Sequence, residues 1–283
     1  MLLYKYHGAG NDFLLADGRG AALSVSAGDV RRLCDRHTGF GSDGFMLLED
    51  DGAYDFRMSF WNPDGSSGMM CGNGGRCIAA FADRLGIVPK SASAGLKCYH
   101  FMAPDGPHTA YVLSRDGNSC TVRLGMKDIT DIRSYGDGAW FLDTGTRHCV
   151  VFRDDVEGLD IAAEGPRYRH DPRFAPQGAN ADFVTVLPGG GIRVRTFEKG
   201  VEGETLACGT GIVASAAAAY IRHGAGTTAA DGSVSVKVQA RIAGLEVSFR
   251  PGASGSAEGD GRAFSDVWLT GPAEFVGTVS PAE

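Results

Sequence analysis

The chain has 283 residues, of which 43% are hydrophobic and 22% charged, which suits one large domain or two of ordinary size. Its formal net charge of −7 disfavours nucleic acid and anionic membranes as the main partner. The segment Met1–His7 lacks the apolar region of a signal peptide, and no apolar run is long enough to span a bilayer. We therefore expect a cytoplasmic globular protein that binds neither nucleic acid nor a membrane.

Seven cysteines are present, an odd number in a long chain without a signal peptide, so a disulfide framework is not expected. Neither Cys-x-x-Cys nor His-x-x-x-His occurs, which gives a zinc site little support. Most of the cysteines fall inside apolar helix or strand patterns, where a cysteine is typically a small buried hydrophobe. The cysteines expected to be buried in this way are Cys34, Cys77, Cys98, Cys120 and Cys149.

In the first half of the chain, short apolar runs predict strands separated by glycine-rich turns. The predicted strands cover residues 2–6, 13–15, 45–48, 54–61, 96–102, 108–113 and 120–124. Helical periodicity is found over Ala27–Cys34 and again directly after Cys71, where Ile78, Phe81 and Leu85 lie on one face. The first half is therefore predicted to be a sheet with two helices.

The second half has a similar plan. Its predicted strands cover residues 139–142, 148–152, 182–187, 191–197, 234–238, 245–249 and 267–269. An alanine-rich helix is predicted from the residues after Cys208 to Arg222, and a glycine-rich hairpin is predicted at Gly252–Gly261.

This layout predicts two β-rich halves, each wrapped around one helix. We expect an N-terminal half of residues 1–118, which a final strand within residues 269–283 could rejoin, and a C-terminal half of residues 119–268. Both central helices follow the same pattern, Cys-Gly-polar-Gly, beginning at Cys71 and at Cys208. The repeated position of these two motifs suggests a shared role.

Cys71 and Cys208 are each predicted to lie in a glycine-rich turn at the start of a helix. The backbone N–H groups and the helix dipole favour anions there, and such a setting lowers a thiol pKa. We expect both thiols to be exposed rather than buried. A cysteine hydrolase would need one thiol with an oriented base. Two matched thiols instead suit proton removal from one face of a carbon and delivery to the other, which is racemisation or epimerisation.

Several motifs make the sequence resemble the diaminopimelate epimerase family. They are residues 5–13 (KYHGAGNDF), 39–44 (GFGSDG), 62–66 (NPDGS), 70–77 (MCGNGGRC) and 203–211 (GETLACGTG). Proline racemases resemble the chain less, since they carry histidine where it has Asn73. The resemblance implies an α+β fold of two pseudo-symmetric domains, each a barrel-like sheet around a central helix, with the active site between them. It also implies catalysis without a cofactor or a metal.

The resemblance further implies roles for individual residues. Cys71 and Cys208 are expected to be the two acid–base groups, and His148 and Glu198 are expected to tune their pKa values. The expected substrate-binding residues are Asn11, Asn62, Gly72, Asn73, Asn180, Glu198, Lys199, Gly209 and Thr210. Without the resemblance, Asn11 and Asn62 would be read as turn formers and His148 as a structural histidine.

Two departures from the family pattern leave the substrate open. Thr146-Arg147-His148 replaces the usual Asn-Pro-His, and Glu198-Lys199 replaces Glu-Arg. A lysine cannot form the two-pronged contact that arginine makes with a carboxylate. The leading hypothesis is epimerisation of LL-2,6-diaminopimelate to the meso form. The alternatives are a racemase for another amino acid, such as histidine, and an inactive amino-acid-binding protein. The sequence fixes neither the oligomeric state, for which a homodimer is one option, nor which thiol serves which stereoisomer.

Overall fold

The computed structural model describes residues 1–20, 23–93, 95–253 and 261–281. Within these ranges the fold is α+β and mostly sheet, as predicted. The helices are α1 (Ala27–Cys34), α2 (Gly72–Arg84), α3 (Ile161–Arg169) and α4 (Gly209–His223), with a short 3-10 helix at Pro172–Phe174. Most of the hairpin predicted at Gly252–Gly261 falls on residues 254–260, outside the described residues.

The chain divides into two compact units, Met1–Leu124 with Gly271–Glu283, and Gly125–Thr270. The strands that begin in the first unit are β1 (Leu3–Gly8), β2 (Asn11–Asp17), β3 (Phe45–Glu49), β4 (Phe56–Trp61), β5 (Ser91–Ser93), β6 (Leu96–Ala103), β7 (Gly106–Asp116) and β8 (Ser119–Gly125). Those that begin in the second are β9 (Ile132–Ser134), β10 (Ala139–Asp143), β11 (Arg147–Phe152), β12 (Asn180–Val186), β13 (Ile192–Glu198), β14 (Gly203–Thr205), β15 (Thr227–Thr228), β16 (Val234–Gln239), β17 (Gly244–Ala253) and β18 (Arg262–Val279).

In the first unit the strands surround α2. The helix contacts β1, β2, β3 and β7, and every residue from Gly72 to Ala82 is buried. Phe81 packs against Tyr4, with ring centroids 4.8 Å apart, and against Tyr6 at 6.0 Å. Glycine and alanine side chains let the strands approach this covered helix closely, which explains their number in α2.

In the second unit α4 has the same position relative to its own strands. It contacts β10–β13, β16 and β17, and its alanine-rich run from Gly211 to Ala219 is buried. Small side chains allow several strands to approach one helix closely. The helix ends at Gly224, which has φ of 63° and donates its N–H to the Tyr220 carbonyl.

Both units have a barrel-like sheet around a central helix, as the resemblance implied. Sequence-based strand limits were generally short: the predicted strand 13–15, for example, is the middle of β2. The turn between β1 and β2 contains only Ala9 and Gly10, with φ of 54° and 93°. Helix α1 has the predicted limits, and the cysteines expected in the core are all buried.

Helix α3 was not predicted. It contains Gly165 and Pro166, residues that usually interrupt helices. Its Ile161 and Tyr168 belong to an apolar core cluster of the second unit. Tertiary packing therefore stabilises a helix that the local sequence does not favour.

Candidate active site

Cys71 is the N-cap residue of α2, with extended backbone angles. Its Sγ accepts a hydrogen bond from the Gly74 N–H at 3.3 Å, and its carbonyl accepts from the Gly75 N–H at 2.8 Å. The side chain is partly exposed. The sulfur thus occupies the place of a capping oxygen, where hydrogen bonding and the helix dipole both favour a negative charge.

Two of the predicted binding residues of the first unit lie together beside this helix start. Asn73 is buried and donates from Nδ2 to Asn11 Oδ1 at 3.3 Å. Asn11 in turn donates from Nδ2 to Asp43 Oδ2 at 2.7 Å, which fixes the orientation of both amides. Asp43 was not among the predicted site residues.

Asn62 lies in a separate turn after β4. Its Nδ2 donates to Ser66 Oγ at 3.0 Å, and its backbone N–H donates to the Ser66 carbonyl at 2.9 Å. These contacts give Asn62 the turn-forming role that its local sequence indicates.

Cys208 is the N-cap residue of α4, but its surroundings differ from those of Cys71. It makes no side-chain capping bond, its Sγ lies 3.4 Å from Thr210 Oγ1, and its exposed fraction is only 7%. Burial raises its thiol pKa well above the ordinary value, and the negative charges of Glu198 and Asp182 raise it further. The expectation of an exposed thiol with a lowered pKa is therefore wrong for Cys208, because desolvation and two acidic neighbours outweigh the helix start.

A fully buried pair, His148 and Asp182, lies behind Cys208. His148 Nδ1 is 2.7 Å from Asp182 Oδ2, and both side chains are inaccessible to solvent. A carboxylate only accepts hydrogen bonds, so His148 Nδ1 is the donor in this contact. Asp182 also accepts from Thr196 Oγ1 at 2.7 Å.

Two threonine hydroxyls connect this pair to the thiol. His148 Nε2 lies 2.8 Å from Thr146 Oγ1 and 3.0 Å from Thr210 Oγ1, and the two hydroxyl oxygens are 2.8 Å apart. Because Thr210 also contacts Cys208, a continuous path of hydrogen bonds runs from Asp182 to the sulfur. Thr146, which was not among the predicted site residues, is a member of this network.

Asn180 ties together the ends of two neighbouring strands. It donates from Nδ2 to the Arg147 carbonyl at 3.3 Å and accepts from the Lys199 N–H at 2.8 Å. The Lys199 side chain is exposed and forms no hydrogen bond or ion pair with the described residues. Arg147 instead donates from Nη1 to the Phe174 carbonyl at 2.9 Å and to Gln177 Oε1 at 3.0 Å. Of the two candidate cations, Arg147 is therefore held by two hydrogen bonds, whereas the Lys199 side chain is exposed.

Asp182 and Arg76 are two of the buried charged residues that the sequence analysis did not predict. Asp182 lies between Ala181 and Phe183 in a strand whose first five residues are buried, and a carboxylate in such a place needs a partner. Arg76 lies on a helix that is buried on every side, so its burial depends on the covering strands and could not be read from local periodicity.

No helix among the described residues is long and apolar enough to cross a membrane.

Comparison with known proteins supplies independent information. A family model described as diaminopimelate epimerase matches residues 3–97 and 140–248. A diaminopimelate epimerase from Flavobacterium psychrophilum is 36% identical over 277 residues, which cover 98% of each chain. One from Chlorobaculum tepidum is 42% identical over 213 residues, which cover 74% of this chain and 79% of the relative.

Solved structures with similar folds have low sequence identity. A phenazine biosynthesis protein of the PhzF family from Bacillus anthracis has a TM-score of 0.72 and 12% identity, covering 100% of this chain and 99% of its own. A probable proline racemase from Agrobacterium radiobacter K84 has a TM-score of 0.66 and 18% identity, covering 99% and 92%. At these identities the likeness concerns the fold alone.

Proposed function

Because the chain belongs to the diaminopimelate epimerase family, we propose that it converts LL-2,6-diaminopimelate to the meso form, a step of lysine biosynthesis. The observation that carries the proposal is the pair of cysteines, Cys71 and Cys208, each at the N-cap of a buried central helix. Inversion at one carbon needs a base on one face and an acid on the other, and two thiols supply both.

The proton balance of the proposed reaction needs no cofactor. A thiolate takes the proton of the Cα–H bond, and the electron pair of that bond moves into the α-carboxylate. The electron pair then returns from the carboxylate to Cα and takes the proton of the second thiol on the opposite face, so a new C–H bond forms and the S–H bond breaks with its electron pair left on sulfur. The two sulfurs have exchanged protonation states at the end of the turnover.

The helix starts support a site for the α-carboxylate. We propose that the backbone N–H groups of Gly72, Asn73, Gly209 and Thr210 bind it, since helix N-termini attract anions. Asn11, Asn62 and Asn180 would hold the polar groups of the substrate, and Glu198 would accept its ammonium. His148 and Glu198 would also set the thiol pKa values. The negative charge of Glu198 raises the pKa of Cys208.

The far carboxylate of diaminopimelate needs a cation, and Lys199 fits this role better than Arg147. The Arg147 guanidinium is occupied by Phe174 and Gln177 and lies 5.2 Å from the ring centre of Phe141. The side chain of Lys199 is exposed, which leaves it able to meet a ligand.

Lys199→Ala should therefore lower kcat/KM for diaminopimelate, with a loss of about 2 kcal/mol in transition-state stabilisation. It should have little effect on kcat/KM for a monocarboxylic amino acid. Lys199→Arg, which keeps the charge, is the matched control and should retain most activity. Steady-state kinetics with both substrates test this. A wild-type preference for a monocarboxylic amino acid would favour the alternative of a general amino-acid racemase.

The decisive experiment for the function is proton exchange in deuterated water. The wild type should invert LL-diaminopimelate and incorporate deuterium at Cα, without added pyridoxal phosphate. Cys71→Ala and Cys208→Ala should each lose net inversion while remaining folded, because each thiol serves one face. Cys120→Ala, which removes a buried cysteine of the core, is the control. Binding of the substrate without any exchange in the wild type would identify an inactive amino-acid-binding protein.

A cytoplasmic location and a homodimeric state are further parts of the proposal. Cell fractionation and light scattering test them.

A further inference from the structure

Two of the proposed substrate-binding residues, Asn11 and Asn73, belong to a row of hydrogen bonds that has a charged group at each end. Asn11 donates from Nδ2 to Asp43 Oδ2 at 2.7 Å and accepts from Asn73 Nδ2 at 3.3 Å. Asn73 Oδ1 in turn accepts from Arg76 Nη2 at 2.9 Å. The row therefore runs from a guanidinium, through two amides, to a carboxylate.

The two charged ends set the direction of every hydrogen bond in this row. A carboxylate has only acceptors and a guanidinium only donors, whereas an amide that turns over exchanges its donor and its acceptor. Asp43 can therefore pair only with the nitrogen of Asn11, and Arg76 can pair only with the oxygen of Asn73. A reversed amide at either position would bring two donors or two acceptors together and leave polar groups unsatisfied.

Arg76, at one end of the row, is completely buried in α2. It also donates from Nη1 to the Gly72 carbonyl at 3.1 Å and from Nε to the Pro272 carbonyl at 3.3 Å. These contacts hold the guanidinium in one orientation. Its acceptors among the described residues are neutral oxygens, so the Asn73 amide is part of what stabilises this buried charge.

Asp43, at the other end, is held through both of its carboxylate oxygens. Oδ1 accepts from Arg36 Nη2 at 2.6 Å, and Oδ2 accepts from the Asp12 N–H at 3.2 Å in addition to the Asn11 amide. Asp12 itself pairs with Arg36 at 2.8 Å and with Lys5. The carboxylate of Asp43 is thus fixed independently of Asn11.

Asn11 keeps hydrogen-bonding capacity for a ligand. An amide offers two N–H donors and two acceptor sites, and among the described residues the Asn11 side chain uses one of each. The residue is partly exposed. One donor and one acceptor of Asn11 are therefore left at positions that the row determines, and an amino acid carries both a carboxylate and an ammonium group that such a pair can bind.

We infer that Asp43 is a positioning residue, which fixes the polarity of the Asn11 amide for an amino-acid substrate. It acts through Asn11, and Arg76 supports the same polarity from the other end of the row. The inference rests on the proposed function, in which Asn11 holds a polar group of the substrate. An amide that is ordered before binding need not be ordered by the ligand, so losing this order raises KM more than it lowers kcat.

The first test replaces the acceptor at the end of the row. Asp43→Asn keeps the shape of the side chain but adds a donor, so the Asn11 amide can adopt either orientation. We expect KM for diaminopimelate to rise about tenfold, while kcat stays within about twofold of the wild-type value. A folded Asp43→Asn protein with an unchanged KM would overturn the inference.

Asp12→Asn is the matched control, because it removes a charge from the same cluster of Lys5 and Arg36 and leaves the acceptor of Asn11 in place. Its KM should stay within about twofold of the wild-type value. An equal rise in KM for both variants would show that the charge of the cluster matters and the contact with Asn11 does not, which also contradicts the inference. A wild type that does not invert diaminopimelate would instead reject the proposed function, and the second test then decides the inference.

The second test observes the Asn11 amide by NMR in the protein without substrate. The asparagines are labelled with a nitrogen isotope, and the side-chain signal of Asn11 is identified by its loss in Asn11→Asp. The proton directed at Asp43 should exchange with water about tenfold more slowly than the side-chain protons of Asn118. Asn118 is exposed, and its Nδ2 forms no hydrogen bond with the described residues.

Asp43→Asn should reduce this protection of the Asn11 amide, and Asp12→Asn should keep it. Exchange in the wild type as fast as that of Asn118 would contradict the inference, whatever the substrate proves to be. Because this comparison uses the wild type, it remains decisive even if Asp43→Asn does not fold.

Discussion

Cys71 and Cys208 occupy equivalent positions in the two units, but the groups around the two thiols differ. Each precedes a central helix, so the helix dipole acts on both. At Cys208, burial and two carboxylates oppose the dipole and raise the thiol pKa. The helix-start effect amounts to a modest stabilisation of charge, whereas desolvation of a buried thiol is larger, so burial decides the outcome.

At the residue scale, Asp182 provides a direct test of this balance. Asp182→Asn removes a negative charge that raises the Cys208 pKa, so the pH midpoint of Cys208 alkylation should fall. The substitution also weakens the bond to His148 Nδ1, and kcat should drop about tenfold or more as the imidazole loses its fixed orientation.

Asp231→Asn is the matched control, because Asp231 is an exposed acid of the same unit that pairs with Arg250. It should leave both the Cys208 midpoint and kcat unchanged. An Asp182→Asn protein whose Cys208 midpoint stays at the wild-type value would show that this carboxylate does not act on the thiol.

At the scale of elements, the two units follow the same order of pairings. In the first, β2 pairs in parallel with β3 across α1, β3 pairs antiparallel with β4, and β4 pairs in parallel with β6 after α2. In the second, β11, β12, β13 and β16 repeat these three pairings across α3 and α4. Each cysteine therefore occupies the same step of a repeated chain path, just before the central helix.

Much of this order could be predicted from sequence, because glycine motifs and apolar periodicity mark turns, strands and central helices locally. The parts that could not be predicted depend on long-range packing. Helix α3 forms despite Gly165 and Pro166, and Cys208 is buried although its motif is rich in glycine. The binding role of Asn62 comes from the resemblance and stays a prediction, whereas its hydrogen bond to Ser66 belongs to the turn that its local sequence indicates.

The close approach of α4 to its strands gives a prediction about an element. A Cβ atom at Gly211 would lie 2.3 Å from Asp182 Oδ1 and 3.2 Å from His148 Cε1, so Gly211→Ala must displace the helix or the buried pair. We expect a loss of about 1–3 kcal/mol in the free energy of unfolding, as for other overpacked sites, together with reduced activity.

Gly28→Ala in α1 is the control for that experiment. Its added Cβ would meet only Ser26 Oγ at 3.6 Å, an ordinary contact, so the substitution should leave stability unchanged or raise it slightly. Urea unfolding of both variants measures the difference. Equal stability of Gly211→Ala and the wild type would mean that α4 is not held against Asp182 and His148 as tightly as the distances indicate.

At the scale of the whole molecule, the buried cysteines couple folding to alkaline pH. Burial raises the pKa of Cys149 to about 12 and that of Cys34 to about 11, from an ordinary value of 9.0. An unfolded chain loses these protons at lower pH than the folded chain does. Each raised pKa therefore contributes stability that is present below pH 9 and is lost as the pH rises toward the folded value.

Cys149 allows this coupling to be measured. Between pH 9 and about 12 the unfolded state has released the Cys149 proton and the folded state has kept it, so stability should fall by up to about 1.4 kcal/mol per pH unit from this residue alone.

Cys149→Ala removes the titrating group. Its cavity should cost stability equally at every pH, whereas its alkaline slope should be shallower than that of the wild type. Unfolding by urea at a series of pH values from 8 to 10.5 gives both slopes. The growing net negative charge of the protein affects both proteins alike, so it cancels in the comparison. Parallel slopes would show that the Cys149 thiol ionises as readily in the folded chain as in the unfolded one, and would contradict the prediction.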